Sequence, residues 1–209
     1  MKQPEPPGSG REYLRTPDIT PLLSVLQSLH PLCAEVQRYL QEHVTASTIR
    51  KRKMLLKEGA PCEHLYFIIK GAVRGFMREG HKDITTWINV ENQLVTSIFS
   101  LSGQRPAIEN IQALENCELL VMTYADLDAL YQLHPAFNLT ARKVLEVYYA
   151  DAERRAFIAR LTKAENKYRH FLLNHQNLSN RIPLKYIASY LGMTLETLSR
   201  VRKKFSSKP

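Results

Sequence analysis

From Ile49 to Leu120 the apolar residues of this 209-residue chain arrive in short runs instead of at helical spacing, and that stretch limits the possible fold more than any other. The runs are Met54 to Leu56, Leu65 to Ile69, Ala72 to Met77, Ile84 to Val90, Leu94 to Ile98, Ile108 to Leu114 and Glu118 to Met122. Turn-forming clusters separate several of them, including Glu58-Gly59-Ala60-Pro61, Lys70-Gly71 and Glu79-Gly80-His81. Such runs between such breaks suit strands. Many short strands at regular spacing predict a small barrel or roll.

Both flanks switch to helical spacing. Pro21 to Val44 carries Leu22, Val25, Leu26 and Leu29, then Leu32, Val36 and Leu40, with Pro31 between, which predicts two short helices. After the strands come a short helix over Tyr124 to Leu133 and, beyond Pro135, a long one running to about Leu161. Phe137, Ala141, Val144 and Tyr148 form a stripe on the long helix, continued less cleanly by Asp151 or Ala152, Arg155 and Ile158. That stripe suits either packing against the roll or a seam with a second copy of the chain. A further helix, Ala164 to Asn174, leads through a polar loop, His175 to Arg181, to the C-terminal end.

That end, LKYIASYLGMTLETLSRVR from Leu184 to Arg202, reads as a helix-turn-helix. Ile187, Leu191, Met193, Leu198 and Val201 supply apolar contacts between two short helices, and Ala188 sits where the helices touch. Gly192 follows the first helix, where a left-handed backbone is cheap only for glycine. Thr194 is placed to cap the second helix, with Met193 and Leu198 as a hydrophobic staple. Leu195, Glu196, Ser199, Arg200 and Lys203 are left on the outer face. Arg can donate two hydrogen bonds to guanine and Glu can accept from cytosine, while Thr197 or Ser199 can bond phosphate or a base edge. Arg202, Lys203 and Lys204 suit the DNA backbone. On an ordinary surface helix Glu196 and Arg200 would simply form an i,i+4 salt bridge; the hinge context favours DNA.

Charge supports the same end. The chain holds 29 Lys and Arg against 20 Asp and Glu, a net of +9. From Arg160 onward, Glu165 and Glu196 are the only acidic residues among eleven Lys and Arg, so this segment accounts for the whole excess. Confinement of the imbalance to the helix-turn-helix segment argues for a polyanion, double-stranded DNA. One small recognition helix has limited affinity, and such proteins usually bind two half-sites as dimers, which favours a homodimer along the long helix.

Other classes are poorly supported. No stretch is long and apolar enough to cross a bilayer, and the first residues lack a signal peptide's apolar segment, so a cytoplasmic protein without a membrane partner is expected. Residues 1–20, rich in Pro, Gly and charge, predict a flexible tail. Cys33, Cys62 and Cys117 lie far apart and the His residues form no HExxH-like pair, so no metal site is expected. With no phosphate loop, nucleophile elbow or paired catalytic carboxylates, neither an enzyme nor a cofactor is expected.

Two segments carry a family resemblance: Lys57-Glu58-Gly59 with Leu65 to Val73, and Ile187 to Arg200. Over about Leu22 to Phe205 the chain resembles the cyclic-AMP receptor protein and fumarate-nitrate regulator (Crp/Fnr) family. The resemblance implies an α+β fold: a β-roll of cyclic-nucleotide-binding type at 21–134 with flanking helices, a long dimerisation helix at 135–161, and a helix-turn-helix at 162–209 lacking a full wing. It implies a homodimeric transcriptional regulator that contacts DNA through Lys185, Thr194, Leu195, Glu196, Thr197, Ser199, Arg200, Arg202, Lys203 and Lys204, with Lys208 as a further phosphate contact and RNA polymerase as a further partner.

The family's recognition helix reads the groove with Arg-Glu-Thr and a later Arg. Here those positions hold Leu195, Glu196, Thr197 and Arg200, and the Leu implies a different DNA consensus. Family members that bind cyclic AMP carry a Gly-Glu pair and an Arg-Ser pair in the roll. A gapless alignment puts Thr96-Ser97 and Ala107-Ile108 there, so the phosphate-pairing Arg is missing and the usual binding of cyclic AMP is not expected. Arg105 substitutes only if the loop shifts. Tyr148 and Tyr149 stand where the family offers small hydroxyl residues to adenine. Thr96, Ser97, Arg105, Ala107, Ile108, Tyr148 and Tyr149 therefore outline a candidate pocket for an unidentified small-molecule effector. The alternative is a ligand-gated protein-interaction module whose basic end docks on an acidic partner.

Overall fold

The short runs pair into two four-stranded antiparallel sheets, in a computed structural model that describes residues 17–175 and 178–206. Two helices come first, α1 (Thr20–Leu29) and α2 (Ala34–His43), and bury Leu22, Leu26, Val36 and Leu40 at the spacing their sequence carries. The strands are β1 (Thr45–Ile49), β2 (Met54–Leu56), β3 (His64–Lys70), β4 (Val73–Glu79), β5 (Lys82–Asn89), β6 (Leu94–Val95), β7 (Asn110–Ala113) and β8 (Cys117–Thr123). One sheet runs β1-β8-β3-β6 and the other β2-β7-β4-β5, which together make the roll.

Two stretches differ from the sequence expectation. β1 is a polar strand, Thr45-Ala46-Ser47-Thr48-Ile49, found through its ladder with β8 from Thr45↔Val121 to Ile49↔Cys117; it lies at a sheet edge and carries little apolar patterning to announce it. The run Leu94 to Ile98 is a strand only over Leu94–Val95, because the chain turns at Ser97 into a helix, α3 (Ile98–Gly103). That helix buries Ser100 and Leu101 and leaves Ile98 and Phe99 exposed. At the N-terminus Ile19 is buried in the core and α1 already includes Thr20, so the expected tail does not extend to these two residues; residues 1–16 of it lie outside the described residues.

β5 is bent to serve two partners. Its pairing with β4 shifts by one residue between Gly75↔Trp87 and Phe76↔Thr85, which leaves Thr86 as the extra residue of a bulge. A bulge resets the alternation of side chains. Thr85 and Ile88 consequently face the C-terminal helices, while Thr86, Trp87 and Asn89 line a cavity in the roll. Gly75 is required opposite the indole: a Cβ there would lie 2.1 Å from a ring atom of Trp87.

The helices after the roll are α4 (Tyr124–Leu133), α5 (Phe137–Arg160), α6 (Ala164–Asn174), α7 (Leu184–Tyr190) and α8 (Leu195–Ser206). The stripe on α5 settles against its own chain: Phe137 is buried, Ala141 and Val144 pack on the roll core, Tyr148 reaches Leu94, and Ile158 is buried with the C-terminal helices. A seam with another copy therefore requires the opposite face, where Leu139, Val147 and Phe157 are exposed. α6, α7 and α8 share a second buried cluster (Phe171, Ile187, Leu191, Leu198, Val201) that continues into Ala72, Ile88 and Leu114 of the roll.

Candidate functional site

Gly192 adopts φ +60°, the left-handed conformation expected after α7. Its amide donates to the Ser189 carbonyl (3.1 Å) and that of Met193 to the Ala188 carbonyl (3.0 Å), the paired bonds of a Schellman motif. No atom closer than 3.7 Å opposes an added Cβ, so the requirement for glycine there is conformational and not steric. Gly192→Ala is expected to lower stability by about 1 kcal/mol, measured by thermal unfolding, without changing the helical content by circular dichroism.

After the turn, Thr194 caps α8. Its hydroxyl accepts from the Thr197 amide at 3.2 Å, and Met193 and Leu198 join the same apolar cluster on either side of the cap. With Leu198 and Val201 buried, the outward face carries Leu195, Glu196, Ser199, Arg200 and Lys203, all exposed. Among the described residues Glu196 and Arg200 do not form the i,i+4 ion pair; Arg200 Nη2 instead donates weakly to Thr197 Oγ1 at 3.4 Å. Glu196 is held below the usual carboxylate range by its own amide, by the Thr194 hydroxyl and by the nearby Arg200 charge. Thr197 and Arg202 are half-buried, Arg202 donating to Asn180 Oδ1, and Lys204 pairs with Glu165 at 2.9 Å. Lys185 is exposed at the start of α7 with its ammonium over the Tyr186 ring. Lys208 lies outside the described residues.

A joint missed by the sequence reading holds this helix pair on the roll. Ser189 of α7 uses one hydroxyl to satisfy both backbone groups on the open edge of β5: it accepts from the Thr85 amide (2.9 Å) and donates to the Asp83 carbonyl (3.0 Å). Beside it Arg74, only 2 % exposed, is sandwiched between the rings of Phe76 (4.0 Å) and Tyr186 (4.1 Å). Its guanidinium donates to Asp83, Thr85 and Gln112, so the buried charge is paired and hydrogen-bonded. The signal was present as a lone Arg inside the apolar run Ala72 to Met77.

Arg181 closes the joint. It lies between Glu91 and Glu115 with contacts of 2.7 and 2.6 Å, and Glu91 also accepts from the Gly71 amide. The Arg181 hydrogen bonds hold the Glu91 carboxyl down to about 2. Part of the basic excess that pointed to DNA is thus spent inside the molecule.

The effector candidates divide. Thr96, Ile108, Tyr148 and Tyr149 line the roll cavity, whose volume is about 650 Å³. Ser97 is buried in the turn before α3, and Ala107 is buried in a backbone exchange with Gly59 and Ala60. Arg105 is exposed, its guanidinium stacked 3.5 Å from the Phe99 ring centroid and its Nε bonded to the Phe99 carbonyl, and it does not line the cavity. The lining is mostly apolar, drawn from the roll and from α1 to α5. Its one cation among the described residues, Arg155, pairs with Asp151 on its own helix. No helix of the described residues is long and apolar enough to cross a membrane.

Comparison with known proteins agrees with this architecture. Residues 47–134 match the cyclic nucleotide-binding domain family. The chain is 24 % identical over 199 residues to the transcriptional activator protein FnrA of Stutzerimonas stutzeri, covering 85 % of this chain and 80 % of that one. Among solved structures, FixK2 from Bradyrhizobium japonicum superposes with a TM-score of 0.68 at 19 % identity, covering 78 % of this chain and 85 % of FixK2. A protein from Eubacterium rectale assigned to the Crp/Fnr family of transcriptional regulators gives a TM-score of 0.65 at 14 % identity, covering 86 % and 88 %. At such identities the superpositions establish a shared fold.

Proposed function

We propose that this chain, a member of the Crp/Fnr family, is a homodimeric transcriptional regulator that reads a specific DNA sequence through the outer face of α8. The observation that carries the reading is the exposed set Leu195, Glu196, Ser199, Arg200 and Lys203 on a capped helix whose other face is buried. Arg200 and Glu196 supply base-edge contacts. Lys185, Thr194, Thr197, Arg202, Lys203 and Lys204 supply contacts to phosphate or neighbouring base edges. The parts correspond to a roll at 21–134, a dimerisation helix at 135–161 and a DNA-binding end at 162–209. Contact with RNA polymerase follows from this role.

Dimerisation runs along the outward face of α5. Leu139, Ala150 and Phe157 lie on it at helical spacing among charged residues such as Arg142 and Glu146. Phe157→Glu is expected to shift the protein toward monomer in sedimentation equilibrium and to abolish binding to a two-half-site duplex while leaving its thermal unfolding near wild type. A monomeric wild type that still binds such a site at full affinity would contradict the dimer.

The roll acts as the effector domain, with a ligand other than a conventionally bound cyclic nucleotide. A cyclic phosphate in this cavity would meet Glu109 and an Arg155 already paired, and a buried anion without a partner is poorly tolerated. β5 connects effector cavity and DNA-binding end physically, since one side of it lines the cavity and its edge is capped by Ser189.

A further inference from the structure

Resting on the reading of the roll as an effector domain, the chemistry of its cavity narrows the ligand. Its volume of about 650 Å³ falls within the range that encloses a small organic molecule. Leu26, Val95, Leu120, Leu130 and Val144 illustrate its walls, which offer dispersion and desolvation and no recognition of charge. The two charged lining residues are already engaged: Glu109 accepts from Trp87 Nε1 at 2.9 Å, and Arg155 is tied to Asp151.

Two of the lining hydroxyls, those of Thr86 and Tyr148, have hydrogen-bonding capacity left to offer a ligand. Thr86 Oγ1, on the bulge of β5, is buried with no hydrogen-bond partner among the described residues, a condition that costs free energy unless something supplies one. Tyr148 accepts from the Leu94 amide at 2.5 Å, which leaves its phenolic proton to donate. Burial pushes that phenol up to about 12, so it remains a donor at any physiological pH. Two neighbouring polar groups are already engaged, Asn89 donating to the Leu94 carbonyl and Thr96 to the His64 carbonyl.

We propose that the roll cavity binds an uncharged, largely apolar small molecule whose carbonyl or ether oxygen accepts hydrogen bonds from Tyr148 and Thr86. An acceptor oxygen supplies the partner these hydroxyls lack, and the remaining carbon skeleton fills the walls. A carboxylate or phosphate of the same length is excluded, because its charge finds no free cation among the lining residues.

Trp87 lines the cavity and is the single tryptophan of the chain, so its emission reports occupancy directly. The probes are methyl octyl ketone, decanoate, decane and cyclic AMP, titrated into the full-length protein. The expected result is saturable change in Trp87 emission with the ketone, accompanied by a rise in melting temperature, and binding at least tenfold weaker for decanoate and cyclic AMP. Thr86→Val and Tyr148→Phe should each weaken the ketone about two- to tenfold and leave decane unchanged. Thr86→Val removes an unpaired hydroxyl and should fold at least as stably as wild type, which keeps the test decisive if Tyr148→Phe unfolds. Tighter binding of decanoate or cyclic AMP, the absence of saturable ketone binding, or a Thr86→Val protein that binds the ketone as well as wild type would overturn the proposal. Selection of a specific DNA sequence by the protein without added probe separates failure of this inference from failure of the regulator reading.

Discussion

Replacing Arg200 by alanine raises the Kd for the selected duplex about five- to 150-fold per half-site, equivalent to about 1–3 kcal/mol, and relaxes the base preference at one position. The size of the effect follows from what Arg200 does in the free protein, which is little. It is exposed on α8, it makes no ion pair with Glu196, and its contact to Thr197 at 3.4 Å is at the limit of a hydrogen bond. Almost nothing must therefore be broken before the guanidinium can present its fork to guanine. For the same reason the substitution should leave folding stability within about 0.5 kcal/mol, so lost binding cannot be attributed to an unfolded helix. Lys203→Ala is the matched comparison: it should weaken all duplexes alike and reduce the salt slope by about one. Equal affinity of wild type and Arg200→Ala for the selected site would remove Arg200 from the interface.

The second large effect lies in acid. His175, at the end of α6, packs its ring against Phe171 and Tyr190, and its Nδ1 is buried without a hydrogen-bond partner among the described residues. Burial, with the charges of Arg155 and Arg154 adding to it, lowers its pKa from 6.5 to about 4. The unfolded chain therefore takes up a proton first as the pH falls. Stability contributed by the neutral ring is fully present above the unfolded value and is lost as pH drops through the folded one. Between pH 7 and 4.5 the loss amounts to roughly 2–3 kcal/mol. Urea unfolding at these two pH values should show it, and His175→Gln should flatten the difference, because glutamine has no proton to gain. Glu91, held near 2 by Arg181, keeps most of its contribution down to its unfolded value of 4.5, so it adds little to the loss in this window. Parallel losses in wild type and His175→Gln would assign the acid sensitivity elsewhere.

These two residues also show what a sequence discloses. The helix-turn-helix was legible because its determinants are local: Gly192, Thr194 and the spacing of Leu191, Met193 and Leu198 act within a few residues of one another. The roll was legible as a class for a similar reason, since each run and each turn is a short-range signal. What was hidden depends on contacts distant along the chain. β1 exists because β8 pairs with it, and Ser97 ends a strand because the chain must turn into α3. The joint between the roll and the C-terminal helices joins Arg74 to Tyr186 and Ser189 to the β5 edge across more than 100 residues. The stripe on α5 fitted two partners equally well until packing assigned it to the roll. Arg105 looked like a stand-in for a missing cation by position alone, and its stacking on Phe99 turns it away from that role.

Whether the outer face of α8 reads DNA as a symmetric pair is decided by selecting bound duplexes from a random pool with the full-length protein. The expected result is enrichment of an inverted repeat whose half-sites are centred about one helical turn, 10 base pairs, apart, with binding that falls steeply as salt rises. A pool that returns no enriched sequence would contradict it, and would favour a basic end that docks on an acidic protein partner instead.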